Sequence, residues 1–451
     1  MKTLKVFEHQ TITVGQSLIF YSGRELKREP LKKEYIDALW KLYDVKKRPF
    51  FKPTRNGVCF NAYVGVVKVL NLTIEILPKA DNRRINFDDL KGLKADENKW
   101  QSILLDMLRV CSLINTPSVS DAHLKTRNNS ILDLYIERFI TEVNTLMRQG
   151  LIKKYRKIEN SSTALKGKLL IGKHIQKNIV HQERFFIAQT QYDKNHLLHQ
   201  ILAKAIAILP NICSNKFLLS ECHSLKLNFP EVDDIKISES LFDKLNFDRK
   251  SSAYQIAIQI AKMLLLNYRP DLSTGSNHSI AILFNMNQLW EEYVYRILQK
   301  SKPQSVKMIY NQKATRFWET DGSRRYLKPD IIIESATSEK IVIDTKWKNI
   351  NNDPSKIGID DLRQMYAYHH FFEAKQCFLL YPGSAMPVKN GAFYNKYFFG
   401  TEEPASKHCG LIISKAWNES SVNGKTFLNT LLGKEIYESL GLISIQKSDE
   451  T

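Results

Sequence analysis

Short alternations of apolar and polar side chains dominate the first eighty residues. The run VFEHQTITVG at 6–15 has the period of two that a half-buried strand needs. Further strands are predicted at 63–70 and 72–77, with Asn71 at the turn between them and Pro78 ending the second. Residues 31–45, LKKEYIDALWKLYDV, switch to helical spacing. From 98 to 150 the period turns helical, in two runs. Ile103, Leu104, Met107, Leu108 and Cys111 share one face, a polar break follows at 116–130, and ILDLYIERFITEVNTLMRQG repeats the pattern as far as Gly150. Amphipathic helices are predicted again at 196–212 and over YQIAIQIAKMLLLNYRP, which Pro270 ends. His196 and His199 are three apart on the first of these, with no acidic residue at metal-ligand spacing, and read as helix-surface histidines. Residues 214–250 are polar and mixed, and 271–279, DLSTGSNHS, read as a loop and the preferred domain boundary.

The last third of the chain has a tighter order. AILFNMNQLWEEYVYRILQK at 281–300 reads as one helix, with Leu289, Tyr293 and Leu298 on its apolar face. Two short β-branched strands follow at 331–333 and 341–343, joined by a polar turn containing Ser335, Thr337 and Ser338. A helix over IDDLRQMYAYHHFF places Gln364 and Tyr368 four apart on one face. CFLLYP at 377–382 and CGLIISKAW at 409–417 supply two more strands. The expected fold class is α+β and multidomain: a β-rich N-terminal region (1–97), a mainly helical middle with a basic segment (98–278), and a C-terminal α/β core (279–451) with a mixed sheet flanked by helices.

Composition narrows the partner. The 451 residues carry a formal net charge of +19, and 43% of them are hydrophobic. Such an excess of cations favours a polyanion, and nucleic acid over a membrane surface. Six scattered cysteines form no CxxC pair, so neither a zinc site nor a disulfide framework is indicated. With no signal-peptide run at the N-terminus and no apolar stretch long enough to span a bilayer, a cytoplasmic protein with reduced thiols is expected. The densest basic run is LIKKYRKIENSSTALKGKLLIGKHIQKN. Lys153, Lys154, Arg156, Lys157, Lys166, Lys168 and Lys173 within it are candidate DNA phosphate contacts, a solvated face being the alternative. Its Gly167-x4-Gly172-Lys173 spacing imitates a phosphate-binding loop. His174 stands where Ser or Thr should hold Mg²⁺, so nucleotide binding is rejected.

The candidate chemistry lies in LKPDIIIESATSEKIVIDTKWK at 327–348. Residues two apart on a strand face the same way, so Asp344 and Lys346 project together, and a hairpin brings Asp330 to the same end. Carboxylate oxygens are hard ligands for Mg²⁺ (or Mn²⁺). The bound ion acidifies water and neutralises phosphodiester charge, and a neighbouring ammonium orients the water or stabilises developing charge. This is the PD-(D/E)xK arrangement of metal-dependent nucleases, and helix, strands, helix, strand is the order of their core.

At this point the chain resembles the McrC family, the nuclease subunits of McrBC modification-dependent restriction systems. The resemblance rests on YVGVVKVLNLTIEILPK at 63–79, RQGLIKKY at 148–155, ALKGKL at 164–169, MNQLWEEYV at 286–294, LKPDIII at 327–333, IDTKWK at 343–348, DLRQMYAY at 361–368 and LLYP at 379–382. It implies that Asp330, Asp344 and Lys346 are catalytic and that Glu291 is the helix acid near the metal. Glu292 is the rival, set aside because it would then be free to face solvent. Gln364 and Tyr368 match a supporting Q-x3-Y element, with simple packing as the alternative. The resemblance also implies an McrB-like AAA+ GTPase partner that binds GTP, recognises modified cytosine in double-stranded DNA and translocates. The N-terminal region would engage that motor, and a double-strand break would call for a nuclease-domain dimer. The rivals are a stand-alone Mg²⁺ repair nuclease and a GTPase-activating scaffold with a vestigial nuclease.

Overall fold

The computed structural model describes residues 2–22, 25–46, 50–80, 89–113, 130–213, 215–269, 278–350, 353–383, 388–396, 402–419 and 426–443. The N-terminal region is built on a seven-stranded sheet in the order Tyr268–Arg269, Ser279–Asn285, Tyr63–Val69, Leu72–Leu77, Lys2–Phe7, Ser17–Ser22 and Glu25–Pro30. Lys2–Phe7 runs parallel to Leu72–Leu77; its pairing with Ser17–Ser22 is antiparallel. Alternation sorts the side chains. Val67 and Val69 face one core with Ile36 and Leu39 of the helix Lys33–Lys46, while Val64 and Val66 face a second core with the middle helices.

Those helices are Leu90–Val110, Ile131–Gln149, Leu197–Ile212, Lys216–Asn228 and Gln255–Asn267. Ser130 and Asp133 close a capping box at the start of Ile131–Gln149, and Gly150, at φ 91°, ends it. The polar break expected at 116–130 lies outside the described residues except for Ser130, as does most of the 271–279 loop. His196 and His199 are not on the surface. His199 is fully buried, its Nε2 3.0 Å from the Tyr254 hydroxyl and its Nδ1 2.6 Å from the Lys194 carbonyl, and its ring lies 4.0 Å from that of His196. Tertiary hydrogen bonds make a polar ring acceptable in the core, and the helical period carries no trace of them.

The C-terminal sheet has six strands in the order Val306–Asn311, Ile331–Ser335, Lys340–Thr345, Gln376–Pro382, Glu402–Ser414 and Lys389–Lys396. It is mixed: Ile331–Ser335 and Lys340–Thr345 form an antiparallel hairpin, and Lys340–Thr345, Gln376–Pro382 and Glu402–Ser414 run parallel. The helix Ile359–Phe371 makes the parallel crossover. Ile331, Ile333, Ile341 and Ile343 face the helix Met286–Lys300, and Ile332 and Val342 face Ile359–Phe371.

One element departs from expectation. Residues 281–285, read as the start of a helix, belong to the strand Ser279–Asn285, which pairs antiparallel with Tyr63–Val69. A short buried apolar run fits either state, and here a partner strand distant in sequence decided it. The boundary expected at 278/279 therefore falls within the N-terminal sheet. Asn285 ends this strand and caps Met286–Lys300 by accepting from the amides of Asn287 and Gln288, so the sheet aims the helix that carries Glu291. Gly65 makes the pairing close: its φ is 133°, and a Cβ there would stand 2.2 Å from the Ile282 carbonyl oxygen, a backbone atom. Gly65→Ala is expected to cost at least about 1–3 kcal/mol, read as lost amide-exchange protection across 63–69 and 279–285 while the six-stranded sheet keeps its own.

Candidate active site

The register Ile331↔Ile343 places the end of Lys340–Thr345 beside the residue that precedes Ile331. Asp330 accepts at Oδ2 from the Thr345 amide at 2.7 Å and the Thr345 hydroxyl at 3.0 Å. Asp344 shares the parity of Val342 and is 1% exposed. Lys346 has the same parity, and its Nζ lies 2.7 Å from Asp344 Oδ2 and 3.5 Å from Asp361 Oδ1. The Lys346 amide bonds to the Leu380 carbonyl at 2.9 Å, extending the parallel ladder one residue past the strand.

From Ile359–Phe371 come three side chains on one face. Lys346 Nζ donates to Gln364 Oε1 at 3.5 Å, Gln364 Nε2 donates to the Tyr368 hydroxyl at 2.7 Å, and that hydroxyl donates to the Lys328 carbonyl at 3.1 Å. The Q-x3-Y pair thus ties the ammonium to the backbone just before Asp330. Asp361 completes the face and escaped the sequence reading. Its signal was its spacing, three before Gln364 and seven before Tyr368.

Glu291 and Glu292 point different ways. Glu291 is 7% exposed, faces the charges of Asp330 and Asp344, and has an Oε1 with no hydrogen-bond partner among the described residues. Glu292 pairs with Arg296 at 2.6 Å and accepts from Asn311 at 3.2 Å. The basic run lies elsewhere, on an antiparallel ribbon of Lys154–Ser162 with Phe185–Asp193 and the short helix Ile171–Lys177. Lys153 and Lys157 are exposed. Arg156 is held by Asp193 at 3.0 Å and Asp233 at 3.3 Å, and Lys173 pairs with Glu159. Lys166 is exposed, as is Lys168, which opens a third short strand, Lys168–Leu169, paired antiparallel with Phe185–Asp193.

Burial raises the acids. Glu291 is pushed up to about 7, by burial first and then by the charge of Asp330, against a hydrogen bond from Gln312 and the charge of Lys328. Asp344 is pushed up to about 6, again by burial and then Asp330, with Lys346 opposing. Asp330 is also raised by burial, although its bonds from Thr345 hold it back. Burial alone would lower Lys346, but Asp344, Asp361 and Asp330 outweigh it and the net shift is upward. In this arrangement Lys346 is an ammonium, suited to orienting or stabilising an anion rather than to accepting a proton.

Among the described residues no three or more His, Cys, Asp or Glu side chains are drawn into a closed metal-ligand group. Asp330 and Asp344 are instead engaged by Thr345 and Lys346. Three crowded carboxyls with raised proton affinity and one orphaned buried oxygen are nevertheless what a hard dication would relieve. Of these carboxyls, Asp344 is paired with Lys346 and Asp330 is bonded to Thr345 in this structure.

The family described as "McrBC 5-methylcytosine restriction system component" matches residues 58–382, well over half of the chain. No curated protein matches. A chain of the solved structure described as the refined half-complex from the tetradecameric assembly of Thermococcus gammatolerans McrB AAA+ hexamers with bound McrC is similar over 97% of this chain and 99% of that one, with TM-score 0.64 and 17% identity. A chain of the cryo-EM structure of the Thermococcus gammatolerans McrBC complex covers 67% of this chain and 88% of its own, with TM-score 0.47 and 18% identity. At such identities the first likeness speaks for the fold.

The raised acids set a pH dependence. The unfolded chain loses these protons near the ordinary 4.5 of Glu and 3.8 of Asp, and the folded chain near 7 and 6. Their contribution to stability is therefore full below about 4 and lost as pH rises towards 7. Glu8, raised to about 7, and Glu97, raised to about 6, act in the same direction and are common to every variant. Metal-free Glu291→Gln should accordingly show a flatter fall in melting temperature between pH 4.5 and 7 than the parent. Equal slopes would mean that Glu291 is not held protonated.

Proposed function

From the premise that the chain belongs to the family of McrBC 5-methylcytosine restriction system components, we propose that it is the DNA-cleaving, McrC-like subunit, a Mg²⁺-dependent endonuclease with a PD-(D/E)xK core. The observation that supports this reading most is the convergence of Asp330, Asp344 and Lys346 at one sheet end, with Glu291 facing them from a separate helix. Glu291, Asp330 and Asp344 would hold Mg²⁺ or Mn²⁺, which when bound supplies charge neutralisation at phosphate and a more acidic water. Thr345 fixes Asp330, and Gln364 and Asp361 hold Lys346 once it leaves Asp344. The ammonium then lies where it stabilises negative charge growing on the phosphate. Asp344→Ala should abolish cleavage of methylated DNA in the presence of the partner, GTP and Mg²⁺ with the fold intact. Lys346→Ala should slow cleavage about 10²–10⁴-fold with calorimetric Mg²⁺ affinity retained. A well-folded Asp344→Ala protein that cuts normally would remove the assignment.

The partner in this reading is an McrB-like AAA+ GTPase that binds GTP, recognises modified cytosine and moves along DNA. The fold shared with a chain of an McrB–McrC assembly supports it. Because the Ser279–Asn285 strand completes the N-terminal sheet, a fragment ending near 279 would break that sheet. The full-length Asp344→Ala chain is the better probe and should stimulate the partner's GTP turnover as the parent does. Unequal stimulation would tie cutting and docking to the same residues.

The basic ribbon has two readings. Lys153 and Lys157 suit phosphate contacts, whose salt dependence would be steep. At the other end of the same sheet, on and just after the helix Ile171–Lys177, Ile171, Ile175, Ile179 and Val180 are 60–82% exposed, and apolar side chains in such number favour a protein surface. Lys153→Ala with Lys157→Ala should lower DNA affinity of the isolated subunit and its salt slope if phosphate is the partner. A loss confined to GTPase binding would assign the ribbon to the protein interface.

A further inference from the structure

A second antiparallel ribbon, Thr315–Thr320 with Ser323–Leu327, leaves the six-stranded sheet between Asn311 and Asp330. It is a sheet of two strands only, and nearly all of it is exposed. A free ribbon of this kind has no core to justify it, and two-stranded ribbons are marginal in water. Its composition is also unusual for a surface hairpin. Residues 313–328 hold five basic side chains against two acidic ones, and Phe317, Trp318 and Tyr326 are 53%, 51% and 54% exposed.

Both ends of the ribbon are fastened to the candidate site. Before it, the Gln312 amide donates to the Asp330 carbonyl at 2.9 Å. After it, Lys328 presents its carbonyl to Tyr368, and its Nζ donates to Gln312 Oε1 at 2.5 Å. Midway, the register shifts between Arg316 and Trp318, and the extra residue, Phe317, packs edge-on against Phe371 at 5.4 Å, at the end of the helix carrying Asp361, Gln364 and Tyr368. The bulge thus docks one aromatic inward. Beyond it Trp318 and Arg325 are direct cross-strand partners and share a face. Arg316 and Arg324 are both occupied with Glu319, whereas Arg325 has no carboxylate within ion-pair distance among the described residues.

We propose that this ribbon is a DNA-gripping element, resting duplex DNA on Trp318 and Arg325 while the phosphodiester lies over Asp330 and Asp344. The inference rests on the nuclease reading above and adds to it a binding surface. Duplex DNA is favoured over a protein by the net positive charge, by the free guanidinium beside an indole, and by continuity with the acids. Six extended residues reach about 20 Å, or roughly six base pairs, so the contact falls within about half a helical turn of the cut. A two-stranded ribbon is also of a width that the major groove admits.

Trp318 makes this measurable, since the other five tryptophans are buried or half-buried. The full-length Asp344→Ala chain would be titrated with a duplex of about 30 base pairs, about three helical turns, at low salt while acrylamide quenching is followed. The expected result is that saturating duplex shields the quenchable tryptophan, that Trp318→Phe loses this signal but binds normally, and that Trp318→Ala with Arg325→Ala weakens binding about tenfold or more. In the background with Asp344 intact, the double variant should need correspondingly more DNA to reach the same cleavage rate. A Trp318 that stays quenchable in the saturated complex, or a double variant that binds as the parent does, overturns the proposal. So does a loss restricted to GTPase binding, which would make the ribbon a protein contact. Failure of the nuclease reading is a separate result, namely unchanged cleavage by Asp344→Ala itself.

Discussion

A single strand register, Ile331 opposite Ile343, holds the candidate site together. A slip of one residue would send Asp344 to the opposite face of the sheet, away from Asp361 and Gln364, and would take the Thr345 amide from Asp330. The register is secured from both sides. Ile331, Ile333, Ile341 and Ile343 fill one core, Ile332 and Val342 the other, and Gln376–Pro382 pairs in parallel on the other side of Lys340–Thr345. The same burial that fixes the geometry removes water from the carboxyls, which is the first cause of their raised proton affinity. Precision and electrostatic strain have one origin here.

Two site residues are each next in sequence to a buried indole. Trp290 precedes Glu291, Trp347 follows Lys346, and their rings lie 5.4 Å apart. Trp100 packs against Trp347 at 6.5 Å and Trp417 at 5.1 Å, so the helix Leu90–Val110 and the strand Trp417–Glu419 meet at the same point. Trp347 also donates its indole N–H to Glu8 Oε1 at 2.7 Å, where the Lys79 amide donates at 2.8 Å. Glu8 follows the first strand of the N-terminal sheet. The region proposed to meet the motor and the strand end proposed to cut are therefore in contact through one buried Glu side chain and a cluster of packed rings.

The basic segments show how charge is reassigned by folding. In sequence, Lys153 to Lys173 form one cationic run. In the structure Arg156 and Lys173 are taken up by acids, while Lys153 and Lys157 remain at the surface near Tyr155 and Tyr192, whose rings are 4.6 Å apart. The 315–327 ribbon holds fewer cations, yet it is rooted at the acids. Position relative to Asp330, more than density of charge, is what singles it out as the proposed DNA-gripping surface.

The sequence by itself determined the local elements and the chemistry they carry. Alternation at 63–77 and the helical period up to Gly150 follow from side-chain periods of two and 3.6, and the PD…DTK residues are legible directly. Parity alone put Asp344 and Lys346 on one face, and the i, i+4 rule put Gln364 beside Tyr368. What tertiary structure decided was every question of partnership. Residues 281–285 became a strand because Tyr63–Val69 offered an edge, and His199 became a core residue because Tyr254 and the Lys194 carbonyl met its ring. Glu291 rather than Glu292 turned to the acids because Asn285 fixes where its helix starts, and Asp361 joined Lys346 because the crossover helix lands over the hairpin end. Periodicity is written within a dozen residues of sequence, whereas burial and pairing depend on chain segments far apart that meet only on folding.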